Sequence, residues 1–189
     1  MPDYKDFLGI LTLVIGLISY SLYFRAIFSG KVKPDPYSWL IWGALAGITF
    51  FAQVSKGGGA GTWATALTAI ICIVIAAVAF YRGDGHAKLI DWVSIGGALI
   101  GLILWDYTRN PLAAVELVII IGALGFVPIF RQAFYKPQEE PTVTFALNGL
   151  KFGIALFAMG SLDPVTWLYP AAMTVMNGSL VTILILRKR

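Results

Sequence analysis

Seven apolar runs divide the chain, each long enough to cross a bilayer core. They cover Phe7–Phe24, Tyr37–Val54, Gly61–Tyr81, Leu89–Asp106, Pro111–Phe130, Thr142–Gly160 and Pro164–Leu186. About 20 apolar residues in helix span the hydrocarbon region. Backbone groups in lipid must be satisfied internally, so an apolar run of this length predicts a transmembrane helix. Glycines, prolines and charges gather in the short stretches between runs. Pro111 and Pro164 open their runs, where the missing N–H costs no helical bond. The stretch Lys56-Gly57-Gly58-Gly59-Ala60 lacks ordering side chains and reads as a flexible loop.

Composition agrees with the pattern. Only 13% of residues are charged, against about 25% in a soluble domain, and the mean hydropathy is +0.79. The expected fold is an all-α polytopic membrane protein of seven helices, and the short loops suit a plasma membrane. The start is net acidic (Asp3, Lys5, Asp6), unlike a secretory signal, so the first run is expected to be a retained helix. A single Cys72 excludes an internal disulfide and a thiolate cluster, and the single His86 sits in a polar turn. No hydrolase or metal constellation can be built from them. Neither an enzyme nor a cofactor is expected.

The basic residues set an orientation. With the N-terminus outside, the cytoplasmic segments hold Arg25, Lys31, Lys33, Arg82, Lys88, Arg131, Lys136, Arg187, Lys188 and Arg189. The outer segments hold Lys5, Lys56 and Arg109, and Lys151 falls inside a run. The bias predicts N-out, C-in. The charges are spread over separate ends, which speaks against a nucleic-acid partner; the expected partners are the lipid bilayer and a small solute.

The chain also repeats itself. A shift of 106 residues pairs Gly16 with Gly122, Phe24 with Phe130, Arg25 with Arg131, Gly43 with Gly149, Gly47 with Gly153 and Phe51 with Phe157. A shift of 104 then pairs Thr62-Trp63 with Thr166-Trp167. Runs 1–3 therefore correspond to runs 5–7, and run 4 is an unpaired linker. The expected organisation is a three-helix repeat over residues 1–82, a linker with its helix over 83–108, and a second three-helix repeat over 109–189. An odd linker gives both repeats the same orientation, as in carriers built from parallel repeats.

In this three-plus-one-plus-three arrangement the chain resembles the SWEET and PQ-loop superfamily of seven-helix membrane transporters. The family's Pro-Gln pairs correspond here to Leu22-Tyr23 and Pro128-Ile129, so one proline is kept and neither glutamine. Sugar-carrying members place an Asn in the third and seventh helices; Asn177 corresponds to the latter, and Ile73 stands at the former. The resemblance implies transport of a sugar or another small polar metabolite.

Candidate site residues come from polar positions within the runs. Thr144, Asn148 and Lys151 share one helix face, with Ser38, Trp42 and Leu45 as repeat counterparts. Lys151 lies about 13 Å into its run, and a mid-membrane cation normally faces a cavity or a partner. Glu116, whose counterpart is Ile10, is a candidate charge partner for Lys151; the alternative is that it reaches headgroup water. Tyr169, Met173 and Asn177 share a face beside Pro170, and Tyr20 and Tyr23 face the same centre. The expected solute-binding set is thus Tyr20, Tyr23, Ser38, Trp42, Glu116, Asn148, Lys151, Tyr169 and Asn177. Small residues four apart, Gly43/Gly47 and Gly149/Gly153, let helices approach closely. Packing inside each repeat is the expected use; a homo-oligomer is the alternative.

Three functions compete. A carrier would rock two bundles about a central site. A sorting receptor on the same fold would bind without flux, although the short loops leave it little surface. A retinal protein would need a Lys within the last helix, where the sequence has none before Lys188.

Overall fold

The computed structural model describes residues 3–32, 34–82, 92, 96, 100, 103, 107, 110–135, 137–139 and 141–188. Regular structure among them is helical throughout. The helices are α1 (Tyr4–Phe28), α2 (Pro36–Ser55), α3 (Trp63–Arg82), α4 (Pro111–Tyr135), α5 (Thr142–Phe157) and α6 (Pro164–Arg187). Five are long and apolar enough to cross a membrane, and α5 is shorter. This is the pattern of a multi-pass membrane protein. The fourth apolar run, with Gly97, Gly101 and Trp105, lies outside the described residues apart from isolated positions.

Local chemistry sets the helix ends. Asp35 caps α2, accepting from the backbone N–H of Tyr37 and Ser38 at 3.0 Å each, with Pro36 in the first turn. Asp163 caps α6 in the same way, accepting from Val165 N–H at 2.9 Å ahead of Pro164. A carboxylate at this position satisfies donors that the helix leaves open. Pro170 lies inside α6 and cannot bond the carbonyl of Thr166. Gln53 of α2 takes its place, its Nε2 donating to the Thr166 oxygen at 2.8 Å.

The helix neighbours come in corresponding pairs. α3 packs on α1 and α2, and α6 packs on α4 and α5. Across the middle, α1 packs on α5 and α4 packs on α2. Exchanging residues by the 106- and 104-residue shifts turns each of these contacts into another. The packing glycines follow the same rule. Gly43 faces Ile73 on α3, and Gly149 faces Asn177 on α6. Outward faces stay apolar, with Phe51, Ile70 and Val175 each more than half exposed. Such a surface would be an aggregation liability in water and is suited to lipid tails.

Gly149 offers a direct packing test. A Cβ there would lie 3.2 Å from Cβ of Asn177, whereas one at Gly47 meets nothing within 4 Å among the described residues. Gly149→Leu is expected to destabilise the protein by about 1–3 kcal/mol, read as a lower melting temperature in detergent. Gly47→Leu should leave that temperature unchanged.

Two expectations are corrected at the ends of α2 and α5. The triglycine segment is ordered. Gly58 N–H donates to the Gln53 carbonyl at 2.9 Å, and the Gly58 carbonyl accepts from Gly160 N–H at 2.8 Å. Gly61 N–H donates to the Ala158 carbonyl at 2.9 Å. Gly57 and Gly59 adopt φ of 70° and 61°, which only glycine holds without strain. The segment's glycines serve close backbone approach, not flexibility. For the same reason α5 ends at Phe157, short of the expected Gly160. Residues 158–160 leave the helix to pair with this loop. Lys5 adds a third tie, its Nζ donating to the Met159 carbonyl at 2.8 Å.

Candidate functional site

A cavity of about 740 Å³ lies between the two sets of three helices and draws its walls from all six. Cavities of roughly 300–1,000 Å³ hold metabolite-sized ligands. Its mouth is lined by Lys31, Val32, Pro34, Asp35 and Pro141, the turns at the start of α2 and α5. Ser38, Trp39, Trp42 and Leu45 descend one wall at helical spacing, and Thr144, Phe145, Asn148 and Phe152 descend the opposite one. Tyr20, Thr68, Cys72 and Tyr169 reach it at depth.

Below Phe152 and Tyr169 the lining ends. Their rings meet edge to face, centroids 5.6 Å apart. Beyond them Ile48, Ala52, Ala64, Ala155 and Val165 close into one apolar cluster. The loop ties of Gly58, Gly61 and Gly160 lie past that cluster, toward the N-terminal end of α1. The cavity is therefore accessible from the end that carries the Lys31–Asp35 turn and sealed at the other.

Its walls are aromatic with few polar groups. Trp39 packs edge to face on Trp42 at 5.3 Å, and Tyr23 lies 4.9 Å from Trp39. Asn177 is fully buried, and its Nδ2 donates to the Met173 carbonyl at 2.8 Å. That bond leaves its Oδ1 buried without a partner among the described residues. A buried acceptor without a donor is costly, and this one belongs to a cavity-lining residue.

Seven of the nine residues expected from the sequence line this cavity: Tyr20, Tyr23, Ser38, Trp42, Asn148, Tyr169 and Asn177. The other two require correction. Glu116 is exposed on α4, away from the cavity. Lys151 is fully buried one layer behind the floor. Its Nζ donates to Thr68 Oγ1 at 2.8 Å and to the Tyr20 hydroxyl at 3.4 Å. Of the two alternatives for Glu116, the Lys151 pair is therefore not formed, because α4 turns the carboxylate outward while α1 and α3 enclose the amine. Thr68, Cys72 and Phe152 were missed as lining residues. The small polar ones sit in apolar runs with no charge or motif to mark them.

No family model matches the chain, and neither a curated protein nor a solved structure does.

Proposed function

We propose that this protein is a carrier that moves a small polar solute across the cell membrane by alternating access. In this reading seven helices form two parallel three-helix bundles joined by a linker helix, N-out and C-in. The paired helix contacts across the middle support the two-bundle arrangement. The observation that carries the reading is the central cavity, walled by both bundles, open at one end and sealed at the other by hydrogen bonds between loops. A carrier caught with its site facing one side has this form. The orientation makes the open end cytoplasmic.

The walls suit a ligand with hydroxyl or amide groups and one flat or apolar face. Trp42 and Trp39 supply the flat surface, and Asn148, Asn177 and Tyr20 supply the polar contacts. The SWEET-like organisation puts sugars and related metabolites first among candidates. No catalytic group is required for this function. Purified protein in proteoliposomes is expected to take up labelled small polar solutes faster than empty liposomes, with saturation. Absence of flux across a broad panel would overturn the carrier reading and favour a receptor on the same scaffold.

A further inference from the structure

We propose that the transported solute carries a carboxylate, and that Lys151 supplies its counter-charge from beneath the cavity floor. This rests on the carrier reading and narrows its substrate class from neutral polar solutes to small carboxylates, sugar acids among them.

Lys151 is held by neutral groups. Besides its two hydroxyl acceptors, its Nζ sits over the rings of Tyr20 at 4.9 Å and Phe152 at 4.5 Å. Among the described residues no carboxylate approaches it. Asp35 and Asp163 cap helices, and Glu116 is exposed. A buried charge held without an opposite charge is unfavourable, and a bound anion relieves it.

The hydrogen bonds have a direction. Thr68 donates its own hydroxyl hydrogen to the Ala64 carbonyl at 2.7 Å. At the Lys151 contact Thr68 can therefore only accept. Tyr20 also accepts from Lys151, shares a hydrogen bond with Thr68, and lines the cavity. Tyr20, Thr68 and Phe152 separate the ammonium from the cavity by one side-chain layer. A solute acceptor at this end meets a phenol whose donor strength is raised by the cation behind it.

Comparison of the halves separates this role from packing. The repeat counterparts of Tyr20, Thr68 and Lys151 are Phe126, Ala172 and Leu45. All three polar groups are replaced together by apolar ones, and Phe126 and Leu45 are buried within the main core cluster. The same position in the scaffold thus packs without an amine or a hydroxyl. Of the two repeat-related positions where helices of both halves meet, only one carries the polar version, as expected for a site that binds one end of an asymmetric solute.

The test uses wild type, Lys151→Leu, Lys151→Arg and Tyr20→Phe. Leu and Phe are the residues that the other half carries, so these variants are expected to fold. The probes are labelled lactate, alanine and gluconate against labelled glycerol and glucose. They are measured by proteoliposome uptake and by thermal shift of the detergent-solubilised protein. Wild type should favour a carboxylate over the neutral solutes. Lys151→Leu should reduce that preference by about tenfold or more, Tyr20→Phe should reduce it less, and Lys151→Arg should retain it. Equal uptake of neutral and carboxylate probes, unchanged in Lys151→Leu, would overturn this inference and leave the carrier standing. Carboxylate-specific thermal stabilisation that is lost in Lys151→Leu, without any flux, would support Lys151 as the counter-charge of a bound carboxylate and remove the carrier reading. Neither flux nor carboxylate-dependent stabilisation would overturn both.

Discussion

Replacing Gly160 by valine should lower solute flux about a hundredfold by favouring the form whose sealed end has opened. Gly160 closes the sealed end by backbone contact. A Cβ there would lie 2.5 Å from the Gly57 carbonyl oxygen and 3.2 Å from Gly59 Cα. Both obstacles are backbone, so no rotamer change makes room. The strain would break the Gly160 N–H bond to the Gly58 carbonyl and loosen the neighbouring Gly61–Ala158 bond. Each lost bond costs about 1 kcal/mol, and the overlap adds about 1–3 kcal/mol. A loss of roughly 3 kcal/mol is close to a hundredfold shift in the equilibrium between sealed and unsealed forms. A carrier must populate both, so uptake should fall by a similar factor. Proteoliposome uptake by Gly160→Val measures this, and wild-type rates would mean that the loop ties do not gate the path.

Asn177→Leu should move stability and transport in opposite directions. The Oδ1 of Asn177 is buried without a partner among the described residues. Leucine is close in volume and removes that unsatisfied acceptor. The lost Nδ2 bond goes to a helix carbonyl, Met173 O, which has its own backbone donor within α6. Stability is expected to rise by about 1 kcal/mol, seen as a higher melting temperature. Solute affinity should fall about tenfold, since a ligand donor would lose its acceptor. A lower melting temperature with unchanged uptake would make Asn177 a structural residue.

Much of this architecture is legible in the chain. The apolar runs locate every described helix to within a few residues, because lipid leaves isolated segments one backbone state. The glycine pairs foretell close contacts within each half, and three of the four have a neighbouring helix against them. The side to which a given residue turns is harder to read. Spanning helices are apolar all round, so hydrophobic periodicity does not fix their rotation. Glu116 and Lys151 show the consequence: their places along the helices were legible and their directions were not. The triglycine loop failed for another reason. Composition reports conformational freedom, and the partner that removes this freedom, Gly160, lies about 100 residues away. Gln53 is similar. Pro170 announces an unbonded carbonyl, but only the fold brings Gln53 to it.

The central claim is that one cavity exchanges its opening between two sides, and a single cysteine on the cavity wall can report this. The native Cys72 is buried, so the probe is Asn148→Cys with Cys72→Ser, at a half-buried residue of the wall. The decisive measurement is the rate at which a membrane-impermeant methanethiosulfonate modifies that thiol from each side of oriented vesicles. With Gly160 in place, modification should be faster from the side of the Lys31–Asp35 turn. With Gly160→Val added it should become faster from the side of Lys5 and the glycine loop. Identical sidedness in both proteins, or equal rates from both sides with Gly160 in place, would contradict alternating access.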